Sequence, residues 1–299
     1  MGCRDRLARG RPGVCRTPQS GAGRNSLVEG DREIRGKHKP QPVEKLDGTR
    51  PEGARSEREA ATMVQEMFAR LAPHYDLLNH LISFSLDRVW RRRTARRFAH
   101  ILARPGARAL DLCCGTGDLA FALVRARNGS NCEIVGVDFV EAMLTRARAK
   151  ALSGWAGVTF TGGDALALPF PDGSFDLVTC AFGFRNLANY ESGLREMARV
   201  LQPGGELGIL DFSDPAGGVL GALFRFYFRN ILPRIGGAIS GRRADYAYLP
   251  ASVRKFPSRE ELVRLVERCG FARAKYDVLH FGGVVLYRAS RPSSVFESK

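Results

Sequence analysis

Four features of the central part of the chain could bind a ligand, and each lies in or just after a short apolar segment that predicts a buried β-strand. They are Asp111, the pair Gly115 and Gly117, Asp138, and Asp164 with Ala165. The two glycines permit a tight turn and let a ligand approach the backbone N–H groups at a helix N-terminus. An acid about 20 residues beyond such a loop suits a ribose diol. We therefore expect a nucleoside-containing ligand.

The acids also bear on which nucleoside it is. Gly115-x-Gly117-x-x-Ala120 would pass as a loose dinucleotide fingerprint, so the loop alone leaves NAD open. Asp111, inside the first strand, could hold the ammonium group of an amino acid, and Asp164-Ala165 could bind an adenine amino group. A ligand with adenine, ribose and an amino acid but no pyrophosphate is S-adenosylmethionine, which we expect as the cofactor.

The elements that position these residues alternate between apolar strands and amphipathic helices, which is typical of an α/β fold. We predict strands over 108–112, 133–137, about 158–161, the segment that follows Pro171, 206–210, 272–279 and 282–288, with helices that include 191–201 and 259–269. The last two strands form a hairpin with Gly282-Gly283 beside its turn.

Composition divides the 299 residues into a domain and its flanks. Residues 1–55 are basic, rich in Gly and Pro and poor in large apolar residues, so we expect a disordered tail. The domain covers 56–290, and residues 291–299 are a flexible C-terminus. Within the domain, 215–257 is an apolar insertion that could cover an acceptor channel. Ahead of the first strand we predict a helix over Glu57–Leu71, an interruption at Pro73, and a second helical stretch on to Trp90.

Charge and cysteine content limit the function classes. Lys and Arg number 46 against 31 Asp and Glu, which gives a net charge of +15 and favours anionic partners. The seven cysteines include no C-x-x-C pair, so we expect no metal site, no disulfide framework and a reducing compartment. The sequence contains no stretch of 18 apolar residues, so we predict no membrane-spanning helix.

The segment Leu110–Asp118 resembles the first motif of the class I methyltransferases, with Cys113 where the first glycine of D-x-G-x-G-x-G usually stands. This departure resembles the quinone C-methyltransferases of menaquinone and ubiquinone synthesis. Three further segments resemble that branch, and the similarity covers roughly residues 62–290. They are Phe68-x5-His74-Tyr-Asp-Leu-Leu-Asn79, Phe182-Gly-Phe-Arg-Asn186, and the run from Tyr246 to Pro257.

The resemblance implies a Rossmann-like, seven-stranded, mostly parallel sheet in the order 3-2-1-4-5-7-6, with helices on both faces. It also implies cofactor contacts at Thr116, Asp138, Asp164 and Ala165, and at Ala181, where several relatives have Ser. The arginine of the Phe-Gly-x-Arg-Asn motif, here Arg185, would lie near the methyl acceptor. Asn186 would orient the acceptor or Arg185, and Asp211, at the end of the fifth strand, is a second candidate. Tyr75, Tyr246 and Tyr248 could line the acceptor pocket.

The function that this resemblance implies is C-methylation of a polyprenyl quinol, which would convert demethylmenaquinol to menaquinol. The benzoquinol reaction of ubiquinone synthesis stays open, as does an RNA methyltransferase suggested by the basic charge, although no RNA-binding module is present and we expect no nucleic-acid partner. We expect a cytoplasmic enzyme with peripheral contact to an anionic membrane at its inner face. The oligomeric state stays open, with a homodimer among the options.

Overall fold

The computed structural model describes residues 48–213, 226, 230, 251–280 and 283–293. Most of the predicted tail, most of the predicted 215–257 insertion with Tyr246 and Tyr248, and residues 294–299 lie outside the described residues.

A seven-stranded sheet forms the centre of the domain, with strand order β3-β2-β1-β4-β5-β7-β6. The first five strands pair in parallel, and β7 pairs antiparallel with both β5 and β6. This confirms the predicted order. The strands are β1 (Arg108–Leu112), β2 (Glu133–Asp138), β3 (Val158–Gly162), β4 (Phe175–Ala181), β5 (Leu201–Phe212), β6 (Ala272–His280) and β7 (Val284–Ser290).

Helices cover both faces of the sheet. They are α1 (Glu57–Leu71), α2 (Tyr75–Ile82), α3 (Leu86–Arg97), α4 (Ala99–Leu102), α5 (Asp118–Ala126), α6 (Glu141–Ala151), α7 (Tyr190–Val200) and α8 (Arg259–Arg268). One apolar cluster joins the sheet to α3, α4 and α5 through Trp90, Phe98 and Leu123. A second joins it to α7 and α8 through Leu194 and Leu265. Burial on both faces explains why the central strands are continuous apolar runs.

The N-terminal helices differ from the prediction in one place. A 3-10 turn at Ala72–His74 interrupts them around Pro73, as expected. The predicted second stretch to Trp90 is wrong, because it is divided at Phe84 and Ser85, whose φ angles are 52° and 60°. Left-handed backbone at two successive residues cannot continue a right-handed helix. The chain therefore changes direction between α2 and α3.

Residues 48–50, which belong to the predicted tail, pack against the domain. The backbone N–H of Thr49 donates to the carbonyl of Leu187 over 2.7 Å, and Arg50 donates to the carbonyl of Ala188 over 2.7 Å. A Cβ on Gly48 would come within 2.2 Å of the carbonyl carbon of Ala188, so the close approach needs a glycine there.

Candidate active site

The glycine loop between β1 and α5 crosses the end of β2. The N–H of Cys114 donates to the carbonyl of Val137 over 3.0 Å. Gly115 and Gly117 have φ angles of 55° and 88°, and a Cβ on Gly117 would lie 2.7 Å from the Phe160 ring. Left-handed backbone and lack of space therefore both require glycine at position 117.

Asp138, at the end of β2, is buried and fixes the loop. Its Oδ2 accepts from the N–H of Gly115 over 2.8 Å, and its Oδ1 accepts from the N–H of Val140 over 2.9 Å. Burial raises the pKa of this carboxyl, although the backbone donors oppose the rise. The carboxylate lies at the carboxyl end of β2 beside the loop, which is the position of the ribose-binding acid in folds of this kind.

Asp111 lies inside β1 with only 1% of its surface exposed. Its Oδ1 accepts from the hydroxyl of Thr179 over 3.0 Å, and its Oδ2 has no hydrogen-bond partner among the described residues. Burial raises the pKa of this carboxyl to about 7. A buried acceptor without a donor is costly, so the site fits an ammonium group that would supply one.

A cleft of about 800 Å³, part of it open to solvent, collects most of the predicted ligand contacts. It is lined by Gly115, Asp138, Asp164, Ala165, Ala181 and Asn186, with apolar side chains that include Phe68, Tyr75, Met143, Phe182 and Leu187. Asp111 and Thr116 line a smaller adjoining cavity that shares Tyr75, Cys113, Gly115 and Ala181 with the cleft. Apolar walls with a few polar groups are typical of small-molecule sites.

The hydroxyl of Thr116 is held by a polar cluster that the sequence analysis missed. It donates to Asp76 of α2 over 2.5 Å and accepts from Lys150 of α6 over 3.0 Å. Lys150 also lies 2.7 Å from Asp76 and 3.0 Å from Asp118. Burial would raise the pKa of Asp118, but Arg91 and Lys150 outweigh it and hold that pKa below its usual value. The cluster fastens α2 to the glycine loop.

Arg185 and Asp211 form a buried ion pair and do not line the cleft. Arg185 Nη1 lies 2.7 Å from Asp211 Oδ1 and also donates to the carbonyl of Phe182 over 2.5 Å. The backbone N–H of Arg185 donates to Asp211 Oδ2 over 3.0 Å. The pair therefore holds the 3-10 turn Phe184–Asn186, which carries Asn186 to the cleft wall.

Two non-glycine residues at strand ends adopt left-handed backbone beside the cleft. They are Cys113 after β1 and Phe182 after β4, with φ angles of 52° and 60°. A Cβ on Gly183 would lie 2.3 Å from the Cβ of Cys113, so the two loops touch there. The unusual cysteine and the Phe-Gly pair are both visible in the sequence, but their contact is not.

Comparison with known proteins gives the family. Residues 54–291 match the family described as the ubiE/COQ5 methyltransferase family. The chain belongs to the ubiE/COQ5 methyltransferase family. It is 52% identical over 219 residues to a demethylmenaquinone methyltransferase of Deinococcus radiodurans, a match that covers 73% of this chain and 88% of that protein. A Thermus thermophilus protein of the same name is 48% identical and is covered in full, against 76% of this chain.

A ubiquinone/menaquinone biosynthesis C-methyltransferase of Geobacter sulfurreducens is 42% identical over 235 residues, which are 78% of this chain and 90% of that protein. Among solved structures, a SAM-dependent methyltransferase of Aquifex aeolicus superposes with a TM-score of 0.52 at 19% identity, covering 72% of this chain and 97% of that one. That likeness supports the Rossmann-like fold.

As a member of this family, the protein is a SAM-dependent methyltransferase. The unpartnered Oδ2 of Asp111, the glycine cradle and buried Asp138 fit that cofactor. None of the described helices is long and apolar enough to cross a bilayer.

Proposed function

We propose that the enzyme transfers a methyl group from S-adenosylmethionine to a ring carbon of demethylmenaquinol, giving menaquinol. The observation that carries this proposal is the similarity to two demethylmenaquinone methyltransferases, over 88% and all of their lengths. The apolar cleft supports it, because an aromatic ring with a prenyl tail needs such walls.

In this proposal three acids hold the donor. Asp138 binds the ribose hydroxyls, Asp111 takes the ammonium group, and Asp164 with Ala165 receives the adenine. When bound, the donor supplies a methyl group already activated on a sulfonium. The protein then has to position the acceptor and exclude water, which is the work of the cleft's apolar walls.

The acceptor ring exchanges a proton for the methyl group, so a proton must leave the ring carbon. Arg185 does not serve as that base, since a guanidinium stays protonated and this one is paired with Asp211. We assign Arg185 and Asp211 as positioning residues for the turn that carries Asn186. Asn186, which lines the cleft, is the group we assign to the acceptor.

The decisive experiment incubates the full chain with labelled S-adenosylmethionine and chemically reduced demethylmenaquinone. Product that carries one label per quinone ring supports the proposal. Parallel reactions contain the oxidised quinone, a demethylated benzoquinol of the ubiquinone pathway, and RNA. Label in RNA with none in either quinol would overturn the proposal.

The benzoquinol is the second candidate acceptor, because the Geobacter sulfurreducens relative is named for both pathways. The ratio of kcat/KM for the two quinols distinguishes the candidates. We expect the naphthoquinol to be preferred, in line with the two more similar relatives.

We also infer that the enzyme works at the surface of a membrane, on its cytoplasmic side. A polyprenyl quinol resides in the bilayer, and the chain's net charge of +15 favours an anionic surface.

A further inference from the structure

A second groove, of about 1220 Å³ and partly open to solvent, lies between α2, α3, α5 and the end of α6. Its walls carry many basic groups: His80 of α2, Arg88, Arg91 and Arg92 of α3, Arg125 of α5 and Lys150 of α6. The reaction proposed above gives no role to the arginines of α3 or α5.

The cations of the groove fall into two sets. Arg91 and Lys150 are neutralised, the first by Asp87 and Asp118 and the second by Asp76 and Asp118. Arg88, Arg92 and Arg125 have no carboxylate partner within the described part of the chain. Arg125 instead lies over the ring of Trp155, with its guanidinium carbon 4.6 Å from the ring centroid. Three uncompensated charges on one concave surface are suited to a phosphate group.

The helix beside the groove extends this basic surface. Of the six arginines of α3, Arg91 is buried, and Arg88, Arg92, Arg93, Arg96 and Arg97 are exposed. The one acid of α3, Asp87, is buried and bonded to Arg91. The exposed face of α3 is therefore basic without an intervening carboxylate.

Three exposed aliphatic side chains are sequence neighbours of residues that line the groove. Leu77, next to Asp76, is 60% exposed, Val89, next to Arg88, is 38% exposed, and Leu152, next to Ser153, is 90% exposed. Arginines alone would suit RNA or lipid equally. Exposed aliphatic side chains next to groove-lining residues in the sequence favour lipid, because they gain by entering the acyl boundary and gain little from a sugar–phosphate backbone.

We propose that this groove docks the enzyme on an anionic phospholipid bilayer. Arg88, Arg92 and Arg125 hold the headgroup phosphate, and Leu77, Val89 and Leu152 enter the interface. The groove and the donor cleft share one helix, because α2 places Asp76 and His80 in the groove and Tyr75 in the cleft. Docking here brings the bilayer close to the cleft. The use of this proximity in catalysis rests on the quinol proposal, whereas the lipid binding itself does not.

The test is co-sedimentation of the full chain with two kinds of vesicle, without donor or acceptor. One is phosphatidylcholine alone, and the other contains equal amounts of phosphatidylcholine and phosphatidylglycerol. We expect binding to the second only. Each basic side chain near an anionic surface raises the partition coefficient to the vesicle roughly fivefold. Arg88→Gln with Arg92→Gln should therefore lower that coefficient about 25-fold.

The matched control is Arg264→Gln with Arg268→Gln, which removes two exposed arginines at the same spacing from α8. Equal weakening in both double variants would mean that only net charge matters and would overturn the proposal. The Arg88→Gln, Arg92→Gln double variant is called the groove variant. The proposal would also be overturned if this variant partitioned to vesicles like the wild type, including the case in which it lost only its binding to single-stranded RNA. Leu152→Ser should weaken the binding that survives in high salt.

A final measurement separates this proposal from the quinol assignment. The groove variant should methylate a short-chain quinol in detergent as fast as the wild type and lose turnover on quinol embedded in anionic vesicles. If neither protein methylates any quinol while the groove variant alone leaves the vesicles, the quinol proposal fails and the docking surface stands.

Discussion

The buried pair of Arg185 and Asp211 predicts a coupled loss of stability that can be measured directly. Asp211 is fully buried and Arg185 is 4% exposed, so removing either partner leaves a charge without compensation. Breaking such a pair costs about 3–5 kcal/mol. For a domain of this size the midpoint of thermal unfolding shifts by about 2–4 °C per kcal/mol, so we expect a fall of roughly 6–20 °C.

The variants are Arg185→Met, Asp211→Asn and the two together. The double variant contains no unpaired charge. Its loss of unfolding free energy should therefore be smaller than the sum of the two single losses, by at least about 2 kcal/mol. Recovery should be partial, because Asp211 also accepts from the backbone N–H groups of Arg185 and Phe212 and an amide oxygen cannot replace both carboxylate oxygens. Urea unfolding measures the free energies.

Turnover should not recover with stability. Arg185 Nη1 donates to the carbonyl of Phe182, and methionine cannot restore that hold on the turn before Asn186. We expect low kcat with donor affinity within a few-fold of wild type, since neither residue lines the cleft. The control is Arg195→Met with Glu191→Gln, which removes an exposed ion pair expected to contribute at most about 1 kcal/mol. The positioning role is refuted if the Arg185 and Asp211 variants lose no more stability than this control, or if the double variant regains full turnover.

Asp138→Ala should weaken donor binding roughly 10- to 100-fold, since it removes charge-assisted hydrogen bonds; near-normal affinity in calorimetry would exclude the ribose role. Because burial raises the pKa of Asp111 to about 7 from an ordinary 3.8, stability of the unliganded protein should fall as pH rises between those values. Donor affinity should rise over the same range and level off above it, and Asp111→Asn should be weak and independent of pH. Lys150→Met should accelerate donor release several-fold and leave the single-turnover methyl-transfer rate unchanged, as stopped-flow fluorescence can test.

The sheet and the grouping of the proposed donor-binding residues were predictable because their causes are local. The central strands are short apolar runs, the loop after β1 has glycines at two of its left-handed positions, and the carboxyl ends of parallel strands share one edge. Asp138, Asp164 and Gly115 therefore meet in one cleft, as expected. The break at Phe84 and Ser85 has no such signal, because neither residue is a glycine or proline.

The contacts that join distant segments could not be found from the sequence. Asp76 and Lys150 flank Thr116 at separations of 40 and 34 residues, and no periodic pattern links them. The family resemblance predicts Arg185 on the acceptor side, with Asp211 as a second candidate, but the structure buries both in an ion pair. Their burial depends on pairing across 26 residues, which only the folded chain establishes.

The cysteine at position 113, in place of the usual glycine, and the Phe182-Gly183 pair both follow from one steric constraint. β1 and β4 are neighbours with Leu112 beside Cys180, so the residues that follow the two strands meet at the cleft. Both turns are left-handed, at Cys113 and at Phe182. Their backbones approach so closely that the Cβ of Cys113 occupies the space a Cβ on residue 183 would need, 2.3 Å away. Only one of the two loops can carry a side chain at this contact, so cysteine in the first loop requires glycine in the second.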